Sequence, residues 1–294
     1  MTASPQIFPE RFTAPLGDGA LAGWRWKNAG KPPLLFCHAT GFCASAYKQM
    51  LAMLSDGFDI YALDMRGHGR TTLPSDPGRL RSWRIYAKDI GAFLDSERRE
   101  GWVLAGHSMG GVTAAMAARS RNDVACLKLI EPVAMPRRLT LLAATPIWPL
   151  LRGRMSLVSK AAGRRAIWSA RSEVVASYGR KGLFKSWSAG ALSDYLEDGL
   201  TETDDGVRLS CAPRWEAATF AAQANDFWGA VKDVAVPVEV YVADSLTSTV
   251  SLAAREKLRR FGAQLRVAAG VSHLAPMEKP AEVADFVAQA PCSS

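Results

Sequence analysis

The sequence predicts an α/β fold: a mostly parallel sheet with helices on both faces and a helical insertion after the strand ending at Glu131. Short continuous apolar runs alternate with helix-patterned segments as far as Glu131-Pro132. A parallel sheet reads this way because each crossover takes a helix and each strand is buried on both faces. The alternation then stops and resumes only at Val236.

In chain order, Trp24-Arg25-Trp26-Lys27 alternates large apolar and charged residues, as an early half-exposed strand does. Pro32-Pro33-Leu34-Leu35-Phe36-Cys37 is the first doubly buried run, ending in His38-Ala39-Thr40-Gly41-Phe42. Helical periodicity covers Ser45 to Leu54, and the next strand, Phe58 to Asp64, closes in Arg66-Gly67-His68-Gly69-Arg70. A helix is expected over Arg81 to Ser96, with Ile85, Ile90, Phe93 and Leu94 on its apolar side. The strand Val103-Leu104-Ala105 leads to an alanine-rich helix from Met109, and Val124 to Ile130 is another buried strand.

Residues 133–232 read as several helices with Trp148, Trp168, Trp187, Trp215 and Trp228 among basic residues. Strand Val236–Ala243, helix Ser251–Phe261, strand Gln264–Ala268 and helix Pro280–Gln289 complete the pattern. The expected organisation is a core formed by 1–132 and 233–294, with 133–232 as a helical cap. The insertion leaves from the C-terminal edge of a strand, where parallel sheets bind their ligands.

Composition narrows the class. Hydrophobic residues at 48% and charged residues at 22% of 294 describe an ordinary globular protein and argue against disorder. No apolar run approaches the roughly 20 residues that span a bilayer. Met1-Thr2-Ala3-Ser4-Pro5-Gln6 has neither the basic start nor the apolar core of a secretory signal. The cysteines, Cys37, Cys43, Cys126, Cys211 and Cys292, are odd in number and unpaired in spacing, so free thiols in a reducing cytoplasm are expected. The formal charge is +8, and eleven Lys and Arg face one acidic residue, Glu173, between Arg137 and Lys185. No nucleic-acid motif accompanies that charge, so a solvated helical surface is expected there, with a small molecule as the partner.

The chemistry centres on Gly106-His107-Ser108-Met109-Gly110-Gly111. A strand, a sharp turn and a helix in this order hold a serine with its hydroxyl exposed. Glycine at 106 and 110 keeps a Cβ from crowding the neighbouring strand and helix. A serine nucleophile needs a base, and the chain has only four histidines: His38, His68, His107 and His273. His107 neighbours the serine but points to the opposite face. His273, on the loop after the last strand, can swing over the sheet edge, and is the expected general base. The oxyanion that develops in acyl transfer needs donors, for which the backbone N–H groups of Met109 and Thr40 are the candidates.

These segments resemble the α/β-hydrolase fold family, of the cap-bearing esterase, lipase and carbon–carbon hydrolase type. The resemblance rests on His38-Ala39-Thr40-Gly41, Asp64-Met65-Arg66-Gly67-His68-Gly69, the serine elbow, and Gly270-Val271-Ser272-His273. It implies an eight-stranded sheet and a Ser–His–acid triad; separately, the histidines lack ligand spacing and no Gly-rich phosphate loop is present, so neither metal nor cofactor is expected. The resemblance also implies a mainly structural Arg66-Gly67-His68-Gly69 turn. The chain has His-Ala where the family usually has His-Gly.

The family's usual acid lies three residues past a glycine after the strand ending here at Val242-Ala243; counting from Ala243 gives Leu246, which cannot serve. Two carboxylates stay open. Asp244 is next to that site, and Glu131 ends the neighbouring strand, where certain haloalkane dehalogenases of this fold carry their acid; Glu131 is favoured. A serine in place of the aspartate nucleophile of dehalogenases and epoxide hydrolases implies ester, thioester, lactone, amide or activated carbon–carbon substrates. The apolar, Trp-containing insertion suggests an apolar acyl or aromatic group. A ligand-binding protein without useful turnover, and an acyltransferase using the same residues, are the alternatives.

Overall fold

The computed structural model describes residues 7–289, so Met1–Gln6 and Cys292 lie outside the described residues. The chain opens with a hairpin of β1 (Glu10–Leu16) and β2 (Gly19–Trp26), followed by β3 (Pro33–Cys37). Then come α1 (Lys48–Ala52), β4 (Asp59–Asp64), α2 (Arg84–Glu97), β5 (Trp102–His107), α3 (Met109–Ala118) and β6 (Val124–Ile130). The insertion carries α4 (Arg137–Ala143), α5 (Trp148–Leu151), α6 (Ser156–Ala162), β7 (Ile167–Trp168), α7 (Arg171–Gly179), α8 (Ala191–Gly199), β8 (Leu200–Thr203), β9 (Gly206–Leu209) and α9 (Pro213–Ala221). The insertion closes with α10 (Phe227–Asp233), and β10 (Val238–Ala243), α11 (Leu252–Arg260), β11 (Gln264–Ala268), α12 (Ala275–Glu278) and α13 (Pro280–Ala288) follow.

Eight strands form one sheet in the order β1-β2-β4-β3-β5-β6-β10-β11. Pairing is parallel from β4 to β11, and antiparallel only at β1–β2 and β2–β4. Successive side chains alternate between two cores, which explains the continuous apolar runs. Leu35, Cys37, Leu104 and Val240 join the core with Ile90, Phe93 and Val112. Leu34, Phe36, Val103 and Tyr241 join the other, with Met50, Leu51 and Phe286. Every strand of the parallel part ends on the same edge, and that edge collects the loops carrying chemistry.

Two hairpins depart from the sequence expectation. The β1–β2 turn at Gly17-Asp18 is a two-residue loop with Gly17 at φ +55°, a backbone that favours glycine. It places Trp24 and Trp26 on a buried face while Arg25 pairs with Asp59. The insertion is not purely helical: β8 and β9 pair through a second two-residue turn, Asp204-Asp205, and β7 adds a third strand. Its signal is the alternating Leu200-Thr201-Glu202-Thr203 before Asp204-Asp205-Gly206, a short β pattern that helical neighbours on both sides obscure.

One insertion tryptophan, Trp215, ties the insertion to the body, while Trp228 and Trp148 brace it internally. Trp215 Nε1 donates to the Arg66 carbonyl at 2.9 Å, Trp228 Nε1 to Met135 at 2.7 Å, and Trp148 Nε1 to Ala221 at 2.7 Å. All five insertion tryptophans are buried, so most of them brace the structure instead of lining a pocket. Phe227, Trp228, Ala230 and Val231 of α10 share the core of Val112 and Ala115 on α3. Among the described residues no helix is long and apolar enough to cross a membrane, and Cys37, Cys43, Cys126 and Cys211 are buried free thiols.

Candidate active site

Ser108 sits between β5 and α3 with φ 57° and ψ −115°, a backbone that costs an L-residue energy and persists only when its surroundings enforce it. The enforcement is visible on both sides. Ser108 N donates to the Ile130 carbonyl at 2.9 Å. A Cβ on Gly106 would lie 2.4 Å from the Gly110 carbonyl carbon, and one on Gly110 would lie 2.0 Å from the Cys37 oxygen. Only glycines let the strand, the helix start and β3 approach so closely.

His273 Nε2 stands 3.1 Å from Ser108 Oγ, and its Nδ1 stands 3.0 Å from Glu131 Oε2. A carboxylate can only accept, so Nδ1 carries the ring proton and Nε2 is left to accept from the serine hydroxyl. The loop that presents His273 is pinned at Ser272, whose N–H and hydroxyl both donate to Glu278 at 2.7 Å.

Glu131 is fully buried at the end of β6, with φ 46°. Its Oε1 accepts from Ala243 N at 2.7 Å and Ser248 Oγ at 2.7 Å, and its Oε2 from Thr249 N at 3.0 Å. Burial alone pushes the carboxyl up. The hydrogen bond and charge of His273, with the amides of Thr249 and Ala243, outweigh burial and hold it below the ordinary glutamate value. The hydroxyl-rich run Ser245-Leu246-Thr247-Ser248-Thr249 supplies much of this support. Sequence reasoning missed it, although such a run after a strand end is what a buried carboxylate needs.

The structure does not bring Asp244 to the histidine. Its N–H continues the sheet to the Ala268 carbonyl at 2.8 Å. Its side chain is 66% exposed and lies 3.4 Å from Arg255.

Thr40 and Met109 meet, with Thr40 Oγ1 3.4 Å from Met109 Sδ. Met109 opens α3, so its N–H has no intrahelical acceptor. On either side of Thr40, Ala39 gives its N–H to Tyr47 Oη at 3.1 Å, and Gly41 gives its own to His68 Nε2 at 3.1 Å.

His38 and His68 serve the scaffold. His38 Nε2 accepts from Met65 N at 2.9 Å while Nδ1 faces the Ala39 carbonyl. His68 Nδ1 faces the Arg66 carbonyl at 3.0 Å. Burial holds His38 well below the ordinary histidine value and brings His68 down to about 4, so both stay neutral bridges between loops. The structural reading of Arg66-Gly67-His68-Gly69 agrees with this geometry.

Beside the Ala39-Thr40-Gly41 loop the insertion contributes an ion pair and an aromatic cluster. Arg164 Nη1 lies 2.7 and 2.6 Å from the two oxygens of Glu216. Tyr195 Oη donates to the Gly41 carbonyl at 3.2 Å. Phe42, half-buried, packs 5.9 Å from Trp187 and 5.4 Å from Tyr195 between ring centroids.

Known proteins share this architecture. The profile described as the alpha/beta hydrolase family matches residues 34–286. The 2-(acetamidomethylene)succinate hydrolase of Mesorhizobium japonicum is 27% identical over 237 residues, which cover 80% of this chain and 79% of that protein. The crystal structure of E-2-(acetamidomethylene)succinate hydrolase superposes with a TM-score of 0.78 at 23% identity, over 95% of this chain and 98% of that one. The thioesterase domain from the curacin biosynthetic pathway superposes with a TM-score of 0.79 at 16% identity, over 96% of this chain and all of that one. With the sheet order and the serine elbow already in place, the match over most of its length makes this chain a member of the alpha/beta hydrolase family.

Proposed function

We propose that the protein is a cofactor-free serine hydrolase acting on an ester-type carbonyl of a small molecule: an ester, thioester, lactone or related group. The observation that carries the reading is the unbroken line Ser108 Oγ, His273, Glu131, with contacts of 3.1 and 3.0 Å. Ser108 Oγ attacks the carbonyl carbon as its proton passes to His273 Nε2, and the tetrahedral oxyanion is held by the N–H groups of Thr40 and Met109. The bond to the leaving group then breaks, and His273 returns the proton to that group. Water attacks the acyl-enzyme, giving a proton to Nε2, and Ser108 leaves carrying that proton as the carboxylic acid departs. Glu131 holds the tautomer and balances the imidazolium formed twice in the cycle.

What favours this over a ligand-binding role is the contact of the Glu131 carboxylate with His273 Nδ1 at 3.0 Å, which supports a working general base. Phe42, Trp187 and Tyr195 beside the oxyanion loop support an apolar acyl or aromatic substrate group. The relatives named above are by name a hydrolase and a thioesterase domain, which supports hydrolysis as the reaction class.

A fluorophosphonate probe with the purified protein tests it. Labelling is expected at Ser108 and absent in Ser108→Ala, which loses at least about 10⁴-fold in turnover of p-nitrophenyl esters of graded chain length. A folded wild-type protein that neither labels nor turns over any ester overturns the reading. Product analysis with added alcohols and amines separates hydrolysis from acyl transfer.

A further inference from the structure

Acyl chemistry of this kind needs two loops at fixed spacing: the one carrying Ala39-Thr40-Gly41 and the one carrying His273. A single file of hydrogen bonds joins them. Ala39 N donates to Tyr47 Oη at 3.1 Å, Tyr47 Oη stands 2.8 Å from His107 Nδ1, and His107 Nε2 stands 2.8 Å from the His273 carbonyl oxygen.

The proton positions in this file are forced. A carbonyl only accepts, so His107 Nε2 bears the ring proton. The neutral ring then offers a lone pair at Nδ1, and the Tyr47 hydroxyl donates to it. The phenol oxygen is left to accept from Ala39. Each group is used once, in one direction.

Protonating His107 would leave the Tyr47 hydroxyl proton without this acceptor. Burial, and then the neighbouring His273, hold the imidazole well below the ordinary histidine value, and burial pushes the Tyr47 phenol far up. The titratable groups around the ring are Tyr47, His273 and His38. None of them is an anion that would favour the charged form. His107 also lies against the base itself, with ring centroids 4.9 Å apart.

We propose that Tyr47 and His107 are positioning residues that fix the backbone of His273 to the oxyanion loop and so set the reach of Nε2 to Ser108. The inference rests on the serine-hydrolase reading. His273 is then held from two ends: its ring by Glu131 and Ser108, its carbonyl by His107.

Three variants separate the parts of this file. His107→Phe keeps a ring against His273 but loses both hydrogen bonds. His107→Gln loses the ring but places an amide N–H where Nε2–H stands. Tyr47→Phe removes only the hydroxyl.

Because a misplacement of ~1 Å at a reacting group costs on the order of 100-fold, His107→Phe and Tyr47→Phe are expected to lose about 10- to 100-fold in kcat with KM within about twofold. Ser108 labelling slows in parallel, and His107→Gln recovers to within about fivefold of wild type. Wild-type turnover in His107→Phe, or a His107→Gln no faster than His107→Phe, overturns the proposal.

¹⁵N NMR of the wild-type protein tests it without any variant. His107 is expected as the Nε2–H tautomer, unchanged between about pH 5 and about pH 9. The other tautomer, or titration in that range, overturns it. Absence of Ser108 labelling in wild type counts against the hydrolase reading. Labelling equally fast in wild type and the folded His107→Phe and Tyr47→Phe variants counts against this inference alone.

Discussion

Glu131 Oε2 meets His273 Nδ1 at 3.0 Å across 142 positions of chain. Asp244, at the end of the adjacent strand, turns out to Arg255 instead. Glu131→Gln presents an amide to a ring nitrogen that must carry a proton, which favours the wrong tautomer. Turnover of a p-nitrophenyl ester is therefore expected to fall on the order of 10³-fold or more in Glu131→Gln, with Asp244→Asn within about twofold of wild type. Steady-state kinetics of the two variants give the ranking, and the reverse order would move the acid to Asp244.

Two buried carboxyls make stability respond to pH in opposite senses. Burial pushes Asp64 up to about 7, against the lowering by the N–H groups of Ala44 and Arg70. Between the ordinary aspartate value and about 7 the folded chain keeps a proton the unfolded chain has released, so this group withdraws stability as pH rises through that window. Glu131, held below its ordinary value, adds stability that is full above that value and is lost as pH falls through the folded one. Thermal midpoints measured from acid to neutral pH check both signs. Asp64→Asn gains on wild type as pH rises toward 7, and the deficit of Glu131→Gln narrows only at the acid end.

Gly110 and Gly41 separate a folding requirement from a functional one. A Cβ at 110 meets the Cys37 oxygen at 2.0 Å, and that oxygen belongs to the central sheet. Gly110→Ala is expected to destabilise by more than about 3 kcal/mol or to yield no soluble protein. At Gly41 the first atom met is Glu216 Oε1 at 2.4 Å, the far end of a side chain, although φ is +78°. Gly41→Ala is expected to fold, at a cost of about 1–2 kcal/mol, while its kcat drops because Thr40 is displaced. Urea unfolding and ester kinetics on the same samples distinguish the two outcomes.

The Arg164–Glu216 pair is expected to be worth far less as a pair than the loss of either member suggests. Removing one charge strands the other in a largely buried site, so Arg164→Met and Glu216→Leu are each expected to cost about 3–5 kcal/mol. The double variant is expected to cost less than the sum by more than about 1 kcal/mol. Urea titrations of the four proteins complete this cycle, and strict additivity would show that the contact carries no coupling.

Much of the site was legible in the sequence because local rules dictate it. The glycines around Ser108, the apolar runs, and a short supply of histidines lead to Ser108 and His273 without any three-dimensional information. The carboxylate that meets His273 was not legible to the same degree. Glu131 and Asp244 end neighbouring strands paired at Ile130 and Tyr241, and which side chain turns inward depends on the positive φ of Glu131. Nothing in Glu131-Pro132 announces that backbone; a residue before proline is steered to extended conformations. The β8–β9 hairpin and the Tyr47–His107 file were hidden for a related reason. One is a short local pattern inside helical surroundings, and the other is assembled from segments that meet only in the fold.

Ser108 and Glu131 stand side by side at the tops of adjacent strands, joined by the Ser108 N–H to the Ile130 carbonyl, and both hold positive φ, at 57° and 46°. Glycine would relax either position, and neither is glycine. At 131 that relief would strand the buried donors of Ala243, Ser248 and Thr249, so only at 108 does durability alone draw a sequence toward glycine.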